Sequence, residues 1–155
     1  MIYLLLEGDT MKISTKGRYA LRIMLDLAIH DKGEYIPIKE VSQRQGVSVK
    51  YIEQIITLLS RAGYVKSIRG NHGGYRLSYL PKDYTVGMIL RCAEGSIAPV
   101  SCLDDEVNQC PRAEICPTLS LWTRLNDAIN EIVDNTSLQD MLDECQNIAS
   151  ENYII

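Results

Sequence analysis

The stretch "IKEVSQRQGVSVKYIEQIITLLSRAG", Ile38 to Gly63, decides the fold. It reads as two helices joined by the three-residue turn "GVS", with Gly46 at the reversal. In the second helix Val49, Ile52, Ile56 and Leu59 recur at steps of three and four, which lines them up on one face. Ser48 is a natural N-cap, its hydroxyl placed to take an orphan N–H of the first turn. This is helix-turn-helix spacing, in which the second helix can enter a DNA major groove. Tight helical hairpins also occur in proteins that never touch DNA, so the flanks carry the decision.

Downstream, "YVKSI" and "YRLS" are short strands around "RGNHGG", Arg69 to Gly74. The glycines and Asn71 supply the positive backbone angles a chain reversal needs. A β-hairpin directly after a helix-turn-helix is a wing. Arg69 and His72 sit at its tip, where side chains reach a minor groove or a phosphate. A phosphate-cradling nucleotide loop is excluded, because that loop precedes a helix and this one precedes a strand. Upstream, "MKISTKGRYALRIMLDLAIHD" places Ala20, Ile23, Met24, Leu27 and Ala28 at helical spacing, predicting a helix from about Ser14 or Thr15 to His30. Lys16 and Arg18 in its first turn have the wrong sign for a helix N-terminus unless an anion sits there. His30 closes the helix as a partner for its C-terminal dipole. "GEYIPI" reads as a short strand or turn.

Beyond the wing, Thr85 caps a helix from about Val86 to Ala93, and "EGSIAPVS" leads into "CLDDEVNQCPRAEIC". Pro117 then starts a longer helix through about Val133, in which Trp122, Leu125, Ile129 and Ile132 step by three, four and three. That is the rhythm of a helix-pairing seam, widened by Leu121 and Ala128, and its polar surround favours burial against a second copy. Thr136 and Gln139 read as a capping box for a short final helix holding Met141 and Leu142. The fold class is mainly α with a small β-hairpin. The predicted organisation is an extension over 1–10, a winged helix-turn-helix over 11–80, a connecting helix and linker over 81–101, a cysteine sensor loop over 102–116, a dimerisation helix over 117–135, and a short helix and tail over 136–155.

Composition sets the class. The chain has 155 residues with a net charge of −4, but the charge is unevenly spread. Met11 to Leu80 carries twelve Lys or Arg against five Asp or Glu, a net of +7, whereas Pro81 to Ile155 carries four against thirteen, a net of −9. Such asymmetry suggests that the first half meets a polyanion and the second does not. No apolar run approaches the roughly 18 residues of a membrane span, and "IYLLL" lacks the flanks of a secretory signal. The expected location is the cytoplasm, without membrane association. Paired catalytic carboxylates at helical spacing, G-x-S-x-G and H-E-x-x-H are all missing from the sequence, so an enzyme is not expected.

"MKISTKGRYALRIMLDLA", "YIEQIITLLSRAGYVKSIRGNHGGYRL" and "LW" after the third cysteine together resemble the Rrf-two family of bacterial winged-helix transcription regulators. The likeness runs from Met11 to about Asp143, closest in type to the iron–sulfur cluster regulators, with "EGSIAPV" and "NYII" similar to the cysteine-metabolism repressors. It implies a homodimer, joined through the long helix after the cysteines, acting as a repressor on a palindromic operator in double-stranded DNA. It implies that Ser48, Lys50, Tyr51 and Gln54 face bases or phosphates, with Glu53 modulating sequence choice. Arg69, Asn71 and His72 would lie in the flanking minor groove, and Lys12, Thr15, Lys16, Arg18 and Tyr19 near the backbone. Lys and Arg neutralise phosphates and Gln54 can read an adenine edge, so the chemistry agrees. The resemblance implies a start at the position of Met11, so Met11 is the expected natural start and residues 1–10 an upstream misread or a private extension.

Three of the five cysteines fall within fifteen residues, at Cys102, Cys110 and Cys116. In cluster-bearing members three cysteines of this loop hold an iron–sulfur cluster, a 2Fe–2S centre being favoured here over 4Fe–4S. Thiolates are the usual ligands for such centres. Zinc is the rival metal, but its structural sites favour close C-x2-C pairs, and the intervals here are seven and five residues. A thiol redox switch and an inert trio complete the alternatives. Leu119 stands where the cluster regulators carry a histidine, so a fourth ligand would come from Asp104, Asp105, Glu106, Asn108, Glu114, the partner subunit or an external thiol. Cys92 and Cys145 lie in helical patterns and read as packing residues. Two rival functions stand beside the cluster-sensing regulator: a cluster-free repressor governed by a sulfur-metabolism enzyme or a thiol switch, and an iron–sulfur carrier or electron-transfer protein with a vestigial winged helix.

Overall fold

The computed structural model describes residues 12–151. The expectation about residues 1–10 lies outside them. The described chain folds into α1 (Thr15–Ile29), α2 (Ile38–Gln45), α3 (Val49–Arg61), strands β1 (Val65–Ile68) and β2 (Gly74–Leu77), then α4 (Val86–Glu94), α5 (Leu119–Asn135) and α6 (Leu138–Glu151). Short 3-10 turns at Pro81–Asp83, Ser101–Leu103 and Ala113–Ile115 punctuate the connections.

The main core forms where α1 crosses α3. Ala20, Ile23, Met24 and Leu27 of α1 meet Ile52, Ile55, Ile56 and Leu59 of α3, closed by Val41, Val65, Leu77, Tyr84, Ile89 and Leu138. Each of the Ile, Leu, Val and Met side chains among them contributes roughly 1.5–3 kcal/mol by leaving water. The turn between α2 and α3 depends on Gly46, whose φ of 67° lies in the left-handed region that a Cβ disfavours. Ser48 caps α3, its Oγ accepting from the Tyr51 N–H at 3.2 Å.

A polar lock holds α1 to α2. Asp26 is 4 % exposed, and its carboxylate accepts from Arg44 Nε and Nη2 at 2.9 and 2.7 Å and from Gln45 Nε2 at 3.1 Å. Gln45 Oε1 accepts in turn from Arg22 Nε on α1. The hydrogen bonds to Asp26 raise the Arg44 guanidinium further above its already high range. His30 caps α1, its Nδ1 2.9 Å from the Asp26 carbonyl oxygen.

The wing is antiparallel, in the register Val65↔Leu77, Lys66↔Arg76, Ser67↔Tyr75 and Ile68↔Gly74. "GEYIPI" joins it as a single bridge, with Ile36 and Tyr75 exchanging backbone hydrogen bonds at 3.0 and 2.9 Å. The base of the wing is tied by Tyr84, fully buried, whose hydroxyl donates to the Tyr64 carbonyl and accepts from the Tyr79 N–H, both at 2.8 Å.

A second core packs α5 and α6 on α4: Val86, Leu90 and Ile97 against Ile129, Val133 and Met141. Arg91 reinforces it, donating to Asp134 at 2.6 Å and to Asn130 at 2.7 Å. Two expectations are corrected here. The long helix begins at Leu119, with Thr118 before it, and runs to Asn135. The box that caps α6 is Ser137 with Asp140, not Thr136 with Gln139: the Asp140 N–H donates to Ser137 Oγ at 3.0 Å and the Ser137 N–H to Asp140 Oδ2 at 2.7 Å. Thr136 instead donates its hydroxyl back to the Ile132 carbonyl. With its start fixed in that way α6 extends over 14 residues.

Candidate nucleic-acid interface and cysteine loop

The residues expected to meet DNA fall on three adjacent pieces of the first core. At the start of α3, Ser48, Lys50, Glu53 and Gln54 are exposed. The same helix sends Ile52, Ile55, Ile56 and Leu59 inward, so its polar face is solvent-facing by construction. Lys12, just before α1, and Thr15, Lys16 and Arg18 in its first turn are exposed, with Arg18 Nη2 donating to Thr15 Oγ1 at 3.1 Å. At the wing tip Arg69, Asn71 and His72 are exposed. The salt bridges among the described residues draw on Arg44, Arg76, Arg91 and His30, and on none of the cations at these three places.

Tyr19 and Tyr51 are half-buried and meet edge to face, ring centroids 5.7 Å apart, with the Arg22 guanidinium 4.7 Å from the Tyr19 ring centroid. Both were expected at DNA. The structure joins them in a contact between α1 and α3 and leaves each partly exposed. Lys66, a further cation on β1 behind the tip, is exposed, as are Ser67 and Ile68 beyond the buried Val65.

The cysteine loop begins eight residues after α4 ends and closes at the head of α5. Cys102 lies in one short 3-10 turn, Cys116 follows another, and all three loop cysteines are half-buried free thiols. The Cys110 N–H donates to Asn108 Oδ1 at 2.8 Å, and Asp104 accepts from Ser96 Oγ at 2.5 Å, so two of the candidate fourth ligands are engaged locally. Among the described residues no three His, Cys, Asp or Glu side chains gather closely enough to hold a metal ion. The loop supplies three thiols without assembling them.

Cys116 differs in reactivity. Hydrogen bonds from the side chain and backbone of Thr118, with the Leu119 N–H and Arg112 behind them, hold its thiol below the ordinary range. The sulfur lies 3.5 Å from Thr118 Oγ1. A thiolate is both the metal-binding and the nucleophilic form of cysteine, and the head of a helix favours it. Cys92 is the opposite case: packed on the main core and 3.5 Å from the Leu58 carbonyl, it is pushed up by burial, as a packing residue should be.

The apolar stripe of α5 is split. Ile129 and Val133 pack on α4 within the chain, and Trp122 is half-buried with Nε1 donating to Thr118 Oγ1 at 3.2 Å. Leu121, Leu125 and Ile132 are 50, 38 and 67 % exposed, and Ala128 between them is exposed as well. Positions 121, 125, 128 and 132 step by four, three and four, an uncovered seam parallel to the packed one.

A helix-turn-helix with a β-wing and unpaired cations on three of its surfaces defines a winged-helix, DNA-binding transcription regulator. The model of the Rrf2 family, described as an iron-dependent transcriptional regulator, matches residues 13–144, and the chain belongs to that family. It is 45 % identical over 132 residues to the HTH-type transcriptional regulator CymR of Bacillus subtilis, covering 84 % of this chain and 89 % of the relative. It is 36 % identical over 146 residues to the HTH-type transcriptional regulator IscR of Aliivibrio salmonicida, covering 93 and 86 %. Among solved structures, that of CymR, the global cysteine regulator of B. subtilis, superposes with a TM-score of 0.70 at 40 % identity, covering 86 % of this chain and 97 % of that one. The T. potens IscR structure gives 0.69 at 36 % identity, covering 86 and 88 %. These relatives are named as regulators, a non-enzymatic role. No helix among the described residues is long and apolar enough to cross a membrane.

Proposed function

We propose that the chain is a homodimeric repressor that binds a palindromic operator, with its affinity set by an iron–sulfur cluster in the Cys102 to Cys116 loop. Acting on DNA, it works in the cytoplasm. The observation that carries the reading is the three half-exposed thiols, one of them activated at the head of α5, on the segment that links α4 to α5. The donor set fits a cluster: soft thiolate sulfurs on a loop stiffened only by two 3-10 turns. Cys102, Cys110 and Cys116 would hold it, and when bound it supplies an iron centre that oxidants, nitric oxide or iron supply can alter. The loop must fold inward to gather the sulfurs, and that closure is the conformational change available for regulation.

In the dimer the exposed seam Leu121, Leu125, Ala128 and Ile132 meets its symmetry mate, while Ile129 keeps α5 attached to its own domain. The DNA contacts are Ser48, Lys50, Glu53 and Gln54 on α3, with Lys12, Thr15, Lys16 and Arg18 on α1 and Arg69, Asn71 and His72 on the wing. Tyr19 and Tyr51 act mainly by fixing α1 against α3. A second reading is supported by the activated Cys116 thiol and the similarity to CymR: a cluster-free repressor switched by oxidation of that thiol or by a partner enzyme.

The deciding experiment is iron and acid-labile sulfide on protein purified without oxygen, beside its visible spectrum. Stoichiometric iron and sulfide, lost in Cys110→Ala with the dimer retained, is the expected result. Colourless protein that resists reconstitution refutes the cluster and leaves the thiol or partner-enzyme reading.

A further inference from the structure

We infer that Glu94 is a positioning residue for DNA binding, fixing the start of α1 and with it the phosphate-facing side chains Lys12, Thr15 and Lys16. The inference rests on the proposed reading of α1 as a DNA-contacting element.

Glu94 is the last residue of α4, 80 positions from Ser14. Its Oε1 accepts from the Ser14 N–H at 2.8 Å and from Ser14 Oγ at 2.6 Å. Ser14 Oγ in turn accepts from the Gly17 N–H at 3.3 Å, which makes it the N-cap of α1. One carboxylate therefore orients the capping residue through both its backbone and its side chain.

An independent observation is Gly17. Glycine is a poor helix former, and this one stands in the first turn of α1, three residues after the Ser14 cap, without a left-handed φ that would call for it. A methyl group there would overlap Glu94 Oε1 and its carboxyl carbon. The glycine is needed because the carboxylate lies against the helix at that point. A polar cleft of about 430 Å³ opens beside the contact, walled by Lys12, Glu94, Ser96 and Asp104 among others.

The position of Glu94 explains why this contact matters. Two residues further on, Ser96 donates to Asp104, which stands two residues after Cys102. The cysteine loop is thus joined by a short run of chain and one hydrogen bond to the group that sets the beginning of α1. The exposed cations at that beginning have no anchor of their own among the salt bridges of the described residues.

The test uses a duplex selected by the full-length wild-type dimer from a random-sequence pool, with affinity measured by fluorescence anisotropy across a salt series. Glu94→Ala should weaken binding about tenfold or more and flatten the salt dependence by about two, for one lost phosphate contact per protomer at roughly 0.9 each. Glu94→Gln keeps an acceptor oxygen and should restore most of both. Gly17→Ala displaces the same carboxylate while leaving Glu94 in the chain, and should weaken binding as Glu94→Ala does. Wild-type affinity and salt slope in both Glu94→Ala and Gly17→Ala overturn the inference, as does lost affinity with an unchanged slope. Wild-type protein that enriches no duplex refutes instead the DNA-binding reading beneath it.

Discussion

Replacing Tyr84 by phenylalanine removes one oxygen atom from the centre of the protein and nothing else. The ring is fully buried, and its edge-on contact with Tyr64, at a centroid distance of 5.9 Å, is retained. What is lost is the bridge from the residue before β1 to the second residue after β2, two hydrogen bonds of 2.8 Å each. The Tyr64 carbonyl keeps a partner in the Ser78 N–H at 3.1 Å, whereas the Tyr79 N–H does not. Two hydrogen bonds contribute a net of about 1 kcal/mol each, and the Tyr79 N–H, on an exposed residue, can turn to water. The expected loss is therefore about 2 kcal/mol, or about 4–8 °C in melting temperature for a chain of this length. Calorimetry at fixed protein concentration measures it, because any dimer makes the midpoint concentration-dependent. Burial also holds the phenol above its ordinary range. A raised folded value stabilises fully below the unfolded value, about pH 10, and that contribution fades as pH climbs past the folded one. Tyr84→Phe should thus flatten the alkaline limb of the stability curve as well as lower its plateau. A midpoint within about 1 °C of wild type would show that the hydroxyl bridge holds nothing and refute the reasoning.

Asp26→Ala leaves the Arg44 guanidinium facing a gap between α1 and α2; allowing for the partial exposure of Arg44, the expected cost is about 2–4 kcal/mol by urea denaturation, and an unchanged midpoint would remove the lock. Cys116 should react with iodoacetamide at a pH below the ordinary thiol range, since rate follows thiolate; Thr118→Val should move that profile upward, and coincident profiles would deny the hydrogen bond its role. Ile132→Asp should convert the dimer to monomers in sedimentation equilibrium while the winged helix stays folded by circular dichroism; a dimer of wild-type strength would place the interface elsewhere. Arg69→Ala should weaken operator binding with dimerisation unaffected, and undiminished affinity would take the wing off the DNA.

The winged helix was legible because its signals are local. The period of α3, the Ser48 cap and the left-handed Gly46 each act within a few residues and appear where the sequence places them, whereas at the wing tip Gly70 takes a positive φ and Asn71, Gly73 and Gly74 do not. The residues that hold these pieces in relative position were not legible. Asp26 reads as one more acidic residue on a helix and Tyr84 as one of nine tyrosines. Their meaning lies in partners 18 to 20 positions away, in Arg44 and Tyr64. Glu94 is further still, 80 residues from the cap it holds. Gly17 carried the one available clue, a glycine inside an otherwise good helix, and nothing in the sequence says what approaches it.

The α5 stripe shows how one apolar pattern can hold two seams. Trp122, Leu125, Ile129 and Ile132 fit a heptad rhythm, and so do Leu121, Leu125, Ala128 and Ile132, because a broad apolar surface holds two overlapping seams. Sequence alone gives no reason to prefer one. Packing decides: Val86, Leu90 and Ile97 occupy the side of α5 that carries Ile129 and Val133, so the side left over is Leu121 to Ile132. A helix with one apolar side on its own domain and another in water is suited to hold a partner without letting go of its own core. The cysteine loop runs straight into the first turn of this helix, where Thr118 both activates Cys116 and accepts from Trp122. A change in the bonding of that sulfur therefore acts on the start of the uncovered seam at one end of the loop, while Ser96 and Glu94 connect the other end to α1. On the proposed reading, the loop thus bears on both the helix that would pair the protomers and the start of α1, which would face DNA.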